Sequence, residues 1–295
     1  MTFGLLAPLT LAALALVTTM SGAPPAATIR STIRVVDVRG AASLLARGAS
    51  VLDAREQVAY SAGHLPGAQL YAWMLVSAGL DGPSRGPRSY DAIAMMLSSL
   101  GVDDARPTLV YGQAGAGQGG EGHAAWMLAM LGHPDVAMLD GGFDAWRSAG
   151  RPVVTSVTVA RGGRLTVRLR EELRITGERV ASERGQLLDV RSAAEFAGSS
   201  GWDEARGGHV PWAKNLDWRA VLDEHGRVRS ASRVRETLER AGVDPTEPVA
   251  LVCSNGVRSG YLSAVLMARG VAVAPVLEGG MVAWSADPSR PLARG

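Results

Sequence analysis

The sequence predicts an α/β fold built from two tandem copies of one unit, each a parallel sheet flanked by helices. Three observations predict it. An ordered set of matched segments runs twice through residues 33–295. Short apolar runs recur, bounded by Gly and Pro, and amphipathic stretches such as 124–131 and 259–268 alternate with them. Buried runs alternating with amphipathic ones read as parallel strands joined by crossover helices, and a matched order over a whole chain reads as duplication. The chain has 295 residues, 47% of them hydrophobic and 20% charged, which suits two such domains and excludes wholesale disorder.

The first segment stands outside the repeat. Residues 5–17 form an apolar run with no charge before Arg30. It is shorter than the ~20 residues of a spanning helix, and Ser21-Gly22-Ala23 places small residues where a leader is cut. Residues 1–27 are therefore expected to be a signal peptide, with a retained membrane anchor as the variant. The expected location is periplasmic or secreted; a misplaced start codon would leave the protein cytoplasmic.

The first copy, 33–158, opens with Ile33-Arg34-Val35-Val36-Asp37, and the second, 173–295, with Leu173-Arg174-Ile175-Thr176. Asp37 and Thr176 are good N-caps for a following helix. Next come Val51-Leu52-Asp53-Ala54-Arg55 and Leu187-Leu188-Asp189-Val190-Arg191, apolar strands that each end in Asp-x-Arg. These four charged residues read as structural ion pairs. Gly63-His64-Leu65-Pro66 matches Gly208-His209-Val210-Pro211, and histidines that recur in both copies read as turn residues. The offset holds at 141 from Gly101/Gly242 to Pro107/Pro248. Leu139-Asp140-Gly141-Gly142 with Trp146 matches Leu277-Glu278-Gly279-Gly280 with Trp284, and both tryptophans read as core. The linker is expected between residues 152 and 173, where no clear core pattern runs.

Charge and cysteine content narrow the chemistry. Thirty basic against 28 acidic residues leave +2, no footprint for nucleic acid. The one cysteine, Cys253, excludes an intramolecular disulfide and any multi-cysteine metal site. A lone cysteine is commonly a buried core thiol. Here it ends the apolar run 249–252, where the first copy has Gly112, and Ser254-Asn255-Gly256-Val257-Arg258-Ser259-Gly260 follows it. A strand running through a short loop into a helix N-terminus makes a cradle of backbone N–H groups that stabilises anions. A cysteine at its start is expected to react as the thiolate. Gly256 permits the tight curvature, and Arg258 adds a permanent positive charge.

Cys-x-x-x-x-Arg between strand and helix, the upstream Asp-x-Arg, Gly-His-[Leu/Val]-Pro and the closing Leu-[Asp/Glu]-Gly-Gly…Trp together resemble the rhodanese family of sulfurtransferases. Because the set occurs twice over 33–295, the chain resembles the tandem-domain members, in which the first copy lacks the cysteine and the second carries it. The resemblance implies two rhodanese-like domains, the first non-catalytic and the second catalytic, with the cleft between them. It implies that Cys253 takes sulfane sulfur from a small-molecule donor and holds it as a persulfide. Ser254, Asn255, Gly256, Val257, Arg258 and Ser259 would bind substrate and persulfide, and cyanide or a thiol would accept the sulfur. No metal or organic cofactor is implied.

Loop length separates neighbouring chemistries, since the rhodanese-like phosphatases and arsenate reductases place five residues between Cys and Arg; here there are four. Glu195 stands where tandem enzymes usually carry a substrate-binding Arg, with Arg206 as a substitute cation. The charge of Arg258 favours a small dianion such as thiosulfate. A 3-mercaptopyruvate enzyme, or a persulfide carrier or partner-binding module without turnover, is the alternative.

One competing motif remains. Gly115-Ala116-Gly117-Gln118-Gly119-Gly120 satisfies G-x-G-x-x-G, and Asp140 lies 20 residues beyond it. Its counterpart in the second copy is the Cys253 loop, so the repeat argues against a dinucleotide site. Glu121 and His123, just after it, read as solvated loop residues.

Overall fold

The computed structural model describes residues 1, 31–77, 90–199 and 201–295. The expected leader, Met1 apart, lies outside the described residues, and among those described no helix is long and apolar enough to cross a membrane. Residues Ser31–Gly295 form one compact unit.

The first copy runs β1 (Ile33–Val36), α1 (Val38–Ala46), β2 (Ser50–Asp53), α2 (Gln57–Ala62), β3 (Gln69–Leu70), α3 (Trp73–Ser77), α4 (Tyr90–Ser99), β4 (Thr108–Tyr111), α5 (Gly120–Met130), β5 (Val136–Leu139) and α6 (Gly142–Ser148). The second runs β6 (Arg174–Ile175), α7 (Gly177–Glu183), β7 (Gln186–Asp189), α8 (Ala193–Ala197), β8 (Lys214–Asn215), α9 (Ala231–Arg240), β9 (Val249–Val252), α10 (Val257–Ala268), β10 (Val276–Leu277) and α11 (Gly280–Ala286). Each copy forms a five-stranded sheet, in the orders β1-β5-β4-β2-β3 and β6-β10-β9-β7-β8. Every pairing is parallel, with Leu52 opposite Val110 in one sheet and Leu188 opposite Leu251 in the other.

The local signals act as expected. Asp37 accepts the Gly40 N–H at 2.8 Å and Thr176 the Arg179 N–H at 3.4 Å, so each opening strand hands over to a capped helix. Strands β2, β4, β5 and β9 are buried at every residue, because helices cover both faces of each sheet. Trp146 and Trp284 lie in matching outer cores and donate to the Pro152 and Pro291 carbonyls at 2.8 and 3.1 Å.

A third core is shared. The inner faces of both sheets, with α5 and α10 between them, make one apolar cluster that includes Trp126, Leu128, Leu262 and Leu266. Burying a large apolar side chain contributes about 1.5–3 kcal/mol, so this seam is a major source of stability. Two glycines let the helices meet. A β-carbon on Gly122 would lie 2.5 Å from the Tyr261 Cα, and one on Gly260 would lie 3.3 Å from the His123 Cα.

The segment joining the copies is a packed strap. Val154 pairs with His64 in an antiparallel bridge, and the Arg168 and Arg170 N–H groups donate to Leu131 and Met130 carbonyls at 2.9 Å. Leu165 enters the shared core and Val167 and Leu169 pack against it, so alternate residues anchor the end of the stretch. The C-terminal stretch repeats the arrangement, with Ala293 bridging to His209.

Candidate active site

Both copies build the same frame beside the ends of their strands. In the first, Arg55 Nε donates to Asp53 Oδ1 at 2.9 Å while its Nη2 donates to Asp53 Oδ2 and to the Gly63 carbonyl, both at 2.6 Å. In the second, Arg191 makes the same bonds to Asp189 at 3.0 and 2.7 Å and to the Gly208 carbonyl at 2.8 Å. Each Asp-x-Arg thus clamps the glycine before its histidine. His64 stacks on Tyr60 with ring centroids 4.1 Å apart, and His209 on Phe196 at 3.6 Å. The two histidines and the two ion pairs are structural in both copies.

The second frame carries the thiol. Cys253 follows β9 and is fully buried. Its Sγ accepts the Gly256 N–H at 3.2 Å and lies 3.4 Å from the Ser259 hydroxyl, whose single proton also has the Gly256 carbonyl within reach at 3.1 Å. Gly256 is the N-cap of α10 with φ +93°, a left-handed conformation that costs any other L-residue about 1–2 kcal/mol. Val257 packs into the shared core, and Asn255 is the half-buried member of the loop. The first intrahelical bond of α10 runs from the Gly260 N–H to the Gly256 carbonyl. The N–H groups of Val257, Arg258 and Ser259 precede it, so they point out of the helix end toward negative charge.

Arg258 does not stand alone in this cradle. Its Nη1 and Nη2 donate to the two Glu195 oxygens at 2.8 and 2.7 Å, and Nη2 also donates to Ser254 Oγ at 2.9 Å. Burial opposes ionisation of Glu195, but the bonds from Arg258 and Ser192 outweigh it and hold the carboxyl down to about 2. Burial likewise opposes the Arg258 charge, and Glu195 with Cys253 more than restores it, leaving its pKa raised. Glu195 in turn completes a capping box with Ser192 at the start of α8. Sequence spacing marked Glu195 only as an acid in place of a base; its partnership with Arg258, 63 residues away, is set by the fold. Arg206, the substitute cation, is occupied elsewhere. It donates to the Ser285, Asp287 and Arg290 carbonyls at 2.8, 2.6 and 3.1 Å.

The first copy has a different occupant. An ideal β-carbon on Gly112 would lie 2.5 Å from Cδ of Glu121. Glu121 is the second residue of α5, after N-cap Gly119, and Arg258 is the second residue of α10, after N-cap Gly256. Equivalent helix positions thus carry an acid in one copy and a base in the other. Glu121 is buried rather than solvated; burial pushes its carboxyl up to about 7, with the charge of Asp53 adding to the effect. His123 is also buried, accepts or donates a bond at 3.0 Å with Tyr71 Oη, and is pushed down to about 4 by burial. The second copy packs over both residues, which no local pattern announces.

The glycine run 115–120 serves packing. A β-carbon on Gly115 would meet Leu222 of the second copy at 3.4 Å, and one on Gly120 would meet Trp73 at 2.9 Å. Asp140 accepts the Val228 N–H at 2.9 Å, so it joins the copies rather than facing a ribose. Among the described residues, no group of three or more His, Cys, Asp or Glu side chains converges as metal ligands.

Comparison with known proteins gives this geometry a family. The rhodanese-like domain profile matches residues 32–149 and again 175–287. The chain belongs to the rhodanese family. It is a tandem-domain rhodanese of the sulfurtransferase group, with the fold and duplication that its motifs imply. A thiosulfate sulfurtransferase of Pseudomonas aeruginosa is 29% identical over 247 residues, 82% of this chain and 90% of the relative. The sulfur carrier protein TtuD of Thermus thermophilus is 29% identical over 227 residues, 72% of this chain and 78% of the relative. In three dimensions, the 3-mercaptopyruvate sulfotransferase SseA of Escherichia coli superposes with a TM-score of 0.72 at 22% identity, over 83% of this rhodanese and 98% of SseA.

Proposed function

We propose that this rhodanese transfers sulfur through a persulfide on Cys253, from a small donor such as thiosulfate or 3-mercaptopyruvate to a thiol or cyanide. The observation that carries the reading is the Cys253 Sγ held by the Gly256 N–H and beside the Ser259 hydroxyl at the start of α10. Those donors, with the helix end, favour negative charge on sulfur. That applies first to the thiolate and then to the outer sulfur of the persulfide.

With thiosulfate, Sγ attacks the outer sulfur; the new S–S bond forms as the old one breaks, and sulfite leaves with its electron pair. With 3-mercaptopyruvate, the C–S bond breaks instead. Its electron pair stays on carbon, which takes the proton of the former thiol to give pyruvate. In the second half-reaction the acceptor attacks the outer sulfur and Sγ leaves as thiolate. This is covalent catalysis by an activated nucleophile, split into two displacements.

The test is mass spectrometry of the intact chain after exposure to each donor, with Cys253→Ala as control. A gain of one sulfur that is absent in the variant, together with steady thiocyanate production on adding cyanide, supports the reading. Turnover retained by Cys253→Ala overturns it. The sulfur carrier among the relatives favours one second reading. In that case Cys253 loads once per chain and unloads only to a partner.

Export is the accompanying proposal. It is supported by the apolar run 5–17 followed by Ser21-Gly22-Ala23. Sequencing the N-terminus of material from the periplasm or medium tests it; an intact Met1 or Thr2 there overturns cleavage.

A further inference from the structure

We infer that Glu195 is a positioning residue that sets donor specificity: by pairing both terminal nitrogens of Arg258, it makes the Cys253 site discriminate against a second negative charge on the sulfur donor. The inference rests on the sulfur-transfer reading of Cys253. It begins from the two-point contact at 2.7 and 2.8 Å, formed where both side chains are about nine-tenths buried.

A guanidinium free in the cradle would attract a dianion. Here its charge is matched by a carboxylate, and the second Nη2 proton goes to Ser254 Oγ. The surroundings add acid rather than base. Asp189 is fully buried against Arg191, and the buried Glu204 lies 3.5 Å from Arg191 Nη1. This group and the neighbouring Arg258–Glu195 pair feel each other's charge, and together set three carboxylates, Asp189, Glu195 and Glu204, against two guanidiniums, Arg191 and Arg258. Thiolate chemistry at Cys253 adds one more negative charge. Little screening reaches such a site, so each charge that a donor carries is counted. Thiosulfate brings two and 3-mercaptopyruvate one. Both load one sulfur on the same Sγ but break different bonds, so the change in their ratio between the wild type and a Glu195 variant reports the charge.

Glu195→Gln is the informative variant, because glutamine serves the third position of a capping box as glutamate does and keeps α8 in place. The measurement is kcat/KM for thiosulfate and for 3-mercaptopyruvate, with cyanide as acceptor and persulfide loading read by mass. The wild type is expected to favour 3-mercaptopyruvate by tenfold or more. Glu195→Gln is expected to shift that ratio toward thiosulfate by at least tenfold, through KM for thiosulfate, while Glu195→Asp restores the wild-type ratio. A purely structural Glu195 would lower both donors together.

A wild type that prefers thiosulfate, or a Glu195→Gln ratio within threefold of wild type in a chain that still loads Cys253, overturns the inference. The wild-type comparison stands even if the variant does not fold. If neither donor loads Cys253 in the wild type, the sulfur-transfer reading fails instead, which is a separate outcome.

Discussion

Glu121 occupies the space that a side chain on Gly112 would need. The carboxylate of the cysteine-free copy thus lies where the cysteine-bearing copy has its thiol, held by a helix that starts in the same way. The first copy is not a catalytic loop that has lost one atom group. Its loop from Gly112 to the N-cap Gly119 is four residues longer than that from Cys253 to Gly256, and its helix start carries acid in place of base.

Restoring a cysteine at position 112 should therefore fail. Gly112→Cys forces the new Cβ into Glu121, an overpacking that costs about 1–3 kcal/mol. Adding Glu121→Ala should recover part of that loss. Urea denaturation of the two single variants and the double variant checks the coupling.

Stability should carry the mark of Glu121 in its pH dependence. With a folded pKa of about 7 against an ordinary 4.5, the folded chain keeps a proton that the unfolded chain releases. Stability is then lost as pH rises from about 4.5 to about 7 and is level beyond. Glu121→Gln should match the wild type near pH 4 and exceed it at pH 8 by on the order of 1–3 kcal/mol. Chemical melts at the two pH values read this directly.

How much of this was legible from the chain varies with distance along it. The Asp-x-Arg pairs and the N-caps Asp37 and Thr176 follow from contacts within a few residues, repeated in both copies, and the two histidines read as structural because they recur. The Cys253 loop is similarly local, and its place between strand and helix is read from seven consecutive residues. Glu195 with Arg258, and Glu121 beneath Gly112, were not legible as contacts. The first joins residues on different sides of a sheet. The second depends on the other copy closing over a glycine-rich loop that, taken alone, reads as open to water.

Ser259 should matter to rate more than to stability. Its hydroxyl is 3.4 Å from Cys253 Sγ. Ser259→Ala removes a hydroxyl beside the reacting sulfur and should slow persulfide formation about tenfold, less than the ~10²–10³ of a well-aligned oxyanion donor because its proton is shared with the Gly256 carbonyl. Rapid-mix loading with thiosulfate measures the rate, and an unchanged melting temperature excludes a folding defect.

Arg206 should behave in the opposite way. Its three carbonyl partners tie the 201–207 stretch to the C-terminal segment. Arg206→Ala removes three part-buried, charge-assisted hydrogen bonds, at about 1–3 kcal/mol. Donor KM values should stay within twofold of wild type. A selective rise in thiosulfate KM would place Arg206 at the substrate after all.

The seam of α5 against α10 bears on what a deletion can remove. All residues of α5, and 257–267 of α10, are buried with both copies present, and the two helices pack on each other across the seam. Cutting away the half without a cysteine would strip its neighbour of a wall and turn a buried apolar helix into an aggregation surface. The copy without a cysteine thus has a use independent of chemistry: the merging of two cores makes it indispensable as a partner.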